Sequence, residues 1–114
     1  MDFEILMSCM NQEDFTLIDQ SNIKTNVLAI NQCGREGVRE EQQDGVARRM
    51  LDSSQKGLSR SRNMALQHAR GDFCLIADDD ETFVEDVEQI VLRAFRETGA
   101  DIVAFELQNY PKRI

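Results

Sequence analysis

An apolar run that stops abruptly in carboxylates limits this chain more than any other feature. The run is Gly71-Asp72-Phe73-Cys74-Leu75-Ile76-Ala77, and it ends in Asp78-Asp79-Asp80-Glu81. Bounded by glycine on one side and acids on the other, it reads as a buried strand. Carboxylates crowded at its tip repel one another unless a cation sits among them. In open α/β sheets, ligands bind outside the carboxyl ends of the strands. The cluster therefore reads as a divalent-cation site whose oxygen ligands suit Mg²⁺ or Mn²⁺. The plainer reading is a solvated acidic turn before a helix, whose N-terminus also favours carboxylates.

The chain has 114 residues, enough for one domain with one modest core. Its 21 acids against 13 bases give a net charge of −8. That balance argues against a nucleic-acid partner, which needs broad basic surface. It leaves room for a small basic pocket. No apolar run approaches the ~20 residues of a membrane span. No leader pattern opens the chain, so a cytoplasmic protein is expected, peripheral to the membrane at most through its partners. Cys9, Cys33 and Cys74 are odd in number and far apart, and they read as free thiols rather than zinc ligands.

Phe3 to Met10 is nearly all apolar and reads as a first, interior parallel strand. Asn11 to Asp14 can open a helix, with Phe15, Ile18 and Ile23 as its apolar face. Asn26 to Asn31 reads as the second strand, completing a right-handed βαβ unit. Residues 32 to 46 are polar, contain Gly34, Gly37 and Gly45, and read as a long loop with one helical turn. Ala47 to Asp52 reads as an edge-like strand. Gly57 to Arg70 reads as a helix whose inward face carries Leu58, Arg62, Ala65 and Ala69, with His68 in solvent. An inward arginine needs an anionic partner. After the acidic tip, Thr82 and Glu85 fit a capping box for a helix that Gly99 ends. Asp101 to Leu107 reads as a last strand. The pattern predicts an α/β fold of three layers with a mainly parallel sheet.

Two polar clusters fall at comparable places. Lys56-Gly57-Leu58-Ser59-Arg60-Ser61-Arg62-Asn63 opens a helix, where phosphate is attracted. Asp78 to Glu81 tips the strand that follows. In this order Gly57-Leu58-Ser59-x-x-Arg62-Asn63, Ala69-x-Gly71-Asp72-Phe73 and Asp78-x-Asp80 resemble the family 2 glycosyltransferases of GT-A fold, specifically over residues 56 to 84. The resemblance implies a donor-binding domain spanning residues 1–114, without the acceptor-binding half. It implies that Asp78 lies near the ribose and base, and that Asp80, with Asp78, holds Mn²⁺ or Mg²⁺ on the donor diphosphate. It implies that Arg62 lies close to the nucleotide and Asp78. Ser8, Met10, Asn31 and Gln32 would border the base. The chain departs from the family in carrying Asn31-Gln32 where acids usually follow the second strand.

The implied reaction transfers a sugar from a nucleotide-sugar donor to a hydroxyl of an acceptor glycan or lipid-linked sugar, with inversion. Polysaccharide biosynthesis is the setting this suggests. The family's carboxylate base lies in the second half of the domain, so no catalytic residue is named here. Apolar surface left uncovered by a missing half would favour a homo-oligomer. Two other readings compete. One is a non-catalytic nucleotide-binding or interaction domain of the same fold. The other is a receiver-like phosphoacceptor domain, which needs an acidic pair where this chain has Cys9-Met10-Asn11.

Overall fold

Strands with two apolar faces set the architecture. In the computed structural model, which describes residues 2–100, β1 (Phe3–Met10) buries Phe3, Ile5, Met7 and Cys9 on one face and Leu6 on the other. Alternation across a strand separates these two sets. The remaining elements follow in chain order: α1 (Thr16–Gln20), β2 (Asn26–Gln32), β3 (Gly37–Gln43), β4 (Val46–Ser53), α2 (Leu58–His68), β5 (Phe73–Asp78) and α3 (Val87–Thr98). The five strands form one sheet in the order β3-β4-β2-β1-β5. β1 pairs in parallel with β2 and β5, and β2 in parallel with β4. Among the described strands only β3 runs antiparallel, against β4.

Helices cover both faces, giving three layers. Ile18 of α1 and Val91 of α3 pack with Ile5, Met7, Val27, Ala29 and Met50. Ala65 of α2 packs on the other face with Leu6, Leu28 and Ile30. Burying both faces of the central strands explains why β1 and β2 read as continuous apolar runs.

Four expectations are corrected. Residues 32 to 46 are not a loop: Gly37–Gln43 pairs with Val46–Ser53 in a hairpin. Its turn is Asp44-Gly45, both at positive φ (53° and 80°), the geometry of a type I′ turn. Ala47 to Asp52 is consequently an interior strand, not an edge. Gly45→Ala should cost roughly 1–2 kcal/mol, because a Cβ disfavours the left-handed region; urea unfolding reads this, and an unchanged midpoint would contradict the turn.

The inward face of α2 is Ser61 and Ala65, with Met64 and Ala69 partly buried; Leu58, Arg62 and Leu66 face outward. Small side chains let the helix approach the sheet closely. Thr82 and Glu85 form no capping box. α3 begins at Val87 after Asp86, and Glu85 instead meets Lys24 at 3.2 Å. Gly99 ends α3 as expected, at φ 66° with its N–H on Phe95 O. The strand expected over Asp101 to Leu107 lies outside the described residues.

Candidate functional site

The parallel strands point their carboxyl ends to one edge of the sheet, and most sequence-predicted residues gather there. Register places Ser8 of β1 beside Asp78 of β5 and beside Ile30 of β2. Asp78, Ser8 and Gln32 occupy the face that α2 covers. Ser8 Oγ and Ser61 Oγ share a hydrogen bond of 2.6 Å, tying the first turn of α2 to β1. Gln32 Nε2 donates to Gly57 O at 2.8 Å, holding the residue before that helix. Gly57 itself sits at φ 105°, a backbone state that glycine tolerates.

So anchored, α2 presents Arg62 to the tip of β5. Arg62 NH2 donates to Asp78 Oδ1 at 3.4 Å, with both side chains about half exposed. In that exposure the pair contributes little to stability, so its proximity matters more than its strength. The Asp78 N–H donates to Glu81 Oε1 at 2.9 Å, folding the chain sharply after the strand. Asp79 and Asp80 follow in an exposed turn, and among the described residues their side chains have no ion-pair partner.

Met10, the last residue of β1, is 55 % exposed. Asn31 is different: it is fully buried, on the opposite face. Its Nδ2 donates to Gln12 O and Asp52 Oδ1, both at 2.9 Å, and its Oδ1 accepts the Gln12 N–H at 2.9 Å. Its amide shapes the turn after β1 rather than standing free.

Asp52, at the end of β4, is the residue that sequence reasoning passed over. It is buried and accepts from Asn31 and from Arg39 NH2 at 2.9 Å, while Arg35 NH2 lies 3.8 Å from its other oxygen. Arg39 comes from the unforeseen hairpin, so this contact had no sequence signal beyond the Asp44-Gly45 turn. Nearby Cys9 is pushed up to about 12, first by burial and then by the charges of Asp79 and Asp52. It is therefore a neutral core thiol, not a nucleophile.

A cavity of about 240 Å³ between the hairpin and α2 is lined by Val38, Leu51, Met64 and His68 among others, and Arg62, Asp78 and Asp80 are not in its wall. Among the described residues, no three His, Cys, Asp or Glu side chains converge as a closed metal cage. The oxygen donors at the β5 tip nonetheless suit Mg²⁺ or Mn²⁺, which is commonly held by one or two carboxylates and completed by substrate phosphates and water. On donor chemistry the residues fit such an ion. No described helix is long and apolar enough to cross a membrane.

Comparison with known proteins gives one match. No curated protein and no solved structure matches the chain. The model of glycosyl transferase family 2 matches residues 13–113, nearly the whole sequence. That span includes α2, β5 and the acidic tip, and it displaces the receiver-like reading. With its mainly parallel sheet in three layers and its helix-borne arginine at the acidic strand tip, the chain belongs to glycosyl transferase family 2.

Proposed function

We propose that this chain binds a nucleotide-sugar donor at the carboxyl edge of its sheet and serves inverting transfer of the sugar to an acceptor hydroxyl, on a glycan or a lipid-linked sugar. The observation that carries this reading is the meeting of Arg62 and Asp78 at 3.4 Å, with Asp80 two residues further on. Asp80 and Asp78 would hold Mn²⁺ or Mg²⁺. When bound, that ion neutralises charge gathering on the departing diphosphate. Arg62 offers guanidinium N–H groups to donor oxygens beside Asp78, and its fixed charge suits phosphate. Ser8 and Gln32 keep the start of α2 in place, and exposed Met10 offers an apolar surface to a base. In an inverting reaction the acceptor oxygen attacks the anomeric carbon opposite the diphosphate and gives its proton to a carboxylate base. None of the described residues is assigned that role, so the proposal gives this chain the donor-binding part of the chemistry.

The test is thermal unfolding with a panel of nucleoside diphosphates, each with Mn²⁺ and again with excess chelator. A ligand at one hundred times its dissociation constant stabilises the native state by about 2.7 kcal/mol. At least one nucleotide should raise the melting temperature by several degrees, and chelation should remove most of the shift. A panel without any metal-dependent shift refutes the proposal.

A further inference from the structure

Asn22 adopts an unusual conformation whose backbone role alone does not explain its side chain. It sits at φ 58°, directly after the end of α1. Ile23 N–H donates to Ile18 O at 3.1 Å and Asn22 N–H to Asp19 O at 3.1 Å. This is a Schellman ending with Asn22 at the left-handed position, and Ile18 and Ile23 are both buried beneath it. Glycine is the residue best suited to that position. The asparagine amide has another use. Its Nδ2 donates to Phe83 O at 2.8 Å and approaches Glu85 Oε1 at 3.4 Å, while Phe83 N–H donates to Ser21 O at 3.0 Å. Both backbone groups of Phe83 are thus taken by two successive residues of the α1–β2 turn. Lys24 adds its 3.2 Å contact to Glu85.

These bonds matter because of what lies between them and the strand. Upstream, Asp78 N–H is fixed on Glu81. Downstream, Phe83 is fixed on Ser21 and Asn22. Asp80 falls in the short span between these two anchors. Resting on the donor-site reading above, we propose that Asn22 is a positioning residue for Asp80: its amide holds the acidic segment so that the Asp80 carboxylate is aimed at the cation of a metal–nucleotide complex.

Asn22→Gly tests this cleanly, since glycine keeps the left-handed turn and removes only the amide. Binding of Mn²⁺ with a nucleoside diphosphate found in the panel above is measured by calorimetry on the full chain. Loss of a group that orients a metal ligand typically weakens metal binding 10–100-fold, so Asn22→Gly should weaken the Mn²⁺-dependent component about tenfold. Binding of the same nucleotide under chelator should stay as it was, a distinction that general loosening of the fold would not produce. Asn22→Asp, which also tolerates the turn but sets a carboxylate against Phe83 O and Glu85, should weaken it at least as much. Placed on Asp80→Ala, Asn22→Gly should add no further loss. Native-like Mn²⁺-dependent binding by Asn22→Gly, equal losses with and without metal, or additive losses in the double variant each overturn the role of Asn22. If Asp80→Ala itself leaves binding intact, the donor-site reading fails too, so the two failures are told apart.

Discussion

Glu4→Ala should cost about 3–5 kcal/mol of stability, the range for breaking one partner out of a buried ion pair. Glu4 and Arg49 are 3 % and 7 % exposed, and Arg49 NH2 meets Glu4 Oε2 at 2.7 Å. The other carboxylate oxygen accepts the N–H groups of Arg70 at 2.7 Å and Gly71 at 3.1 Å. Arg49 also donates to His68 O at 2.9 Å, so one pair ties together β1, β4, the end of α2 and the entry to β5. Gly71 permits this closeness: a Cβ there would stand 2.8 Å from Glu4 Cβ. Removing the carboxylate strands a buried guanidinium and leaves two part-buried backbone donors unpaired. A loss of this size is a large part of the 5–15 kcal/mol that holds a typical domain together. Denaturant unfolding should show the midpoint fall sharply, and joint replacement as Glu4→Leu with Arg49→Met should recover only the share due to the stranded charge, because the Arg70 and Gly71 N–H groups stay unpaired. The pair lies at the end of the sheet opposite Asp78, so the folded fraction of Glu4→Ala should keep its nucleotide affinity. A single variant within about 1 kcal/mol of the native protein would show that the pair is not what closes this end.

The same pair explains where the sequence is easy to read and where it is not. β1 and β2 are legible because strands buried on both faces carry long apolar runs, and β5, half-buried at the end of the described sheet, carries a shorter one. β4 contains Arg48-Arg49, and charges ordinarily speak against an interior strand. Here both are neutralised locally, Arg49 by Glu4 and Arg48 by Asp19 and Glu41 with Phe15 beneath it. Glu4, 45 residues from Arg49, leaves no local trace. β3 (Val38-Arg39-Glu40-Glu41-Gln42-Gln43 after Gly37) is exposed along most of its length, so it lacks the alternation that marks a half-buried strand. Its charged edge does what edge strands need, discouraging pairing with other chains. The Asp44-Gly45 dipeptide was the available signal for it. On α2 the periodicity is real and Ala65 and Ala69 turn inward as expected, but the face is rotated toward Ser61 and away from Leu58 and Arg62, since close packing selects small side chains. The pairing of Arg62 with Asp78 was legible through the family pattern. The support of that site by Asn22, Gln32 and Ser61 was not, because each acts through a tertiary hydrogen bond and small polar side chains look alike in sequence.

Asp80→Ala should reduce Mn²⁺-dependent nucleotide binding by on the order of 100-fold or more, since groups that merely orient a metal ligand already cost 10–100-fold when lost. Asp80 is the residue at which binding and folding separate. It is exposed, lies beyond the last strand pair of β5, and forms no ion pair among the described residues. Its removal should therefore leave unliganded stability within about 0.5 kcal/mol, as for surface positions without such contacts. Removal even relieves repulsion from Asp79 and Asp78, so a small gain in melting temperature without metal is expected. Asp78→Ala differs in kind, because Asp78 faces Arg62 and pairs in register with Ser8. Calorimetry with Mn²⁺ and nucleotide, beside melting curves of the same samples under chelator, distinguishes the two carboxylates. Wild-type affinity in a well-folded Asp80→Ala protein would remove the cation from this strand tip, leaving Arg62 and the start of α2 as the only described groups able to hold a diphosphate there.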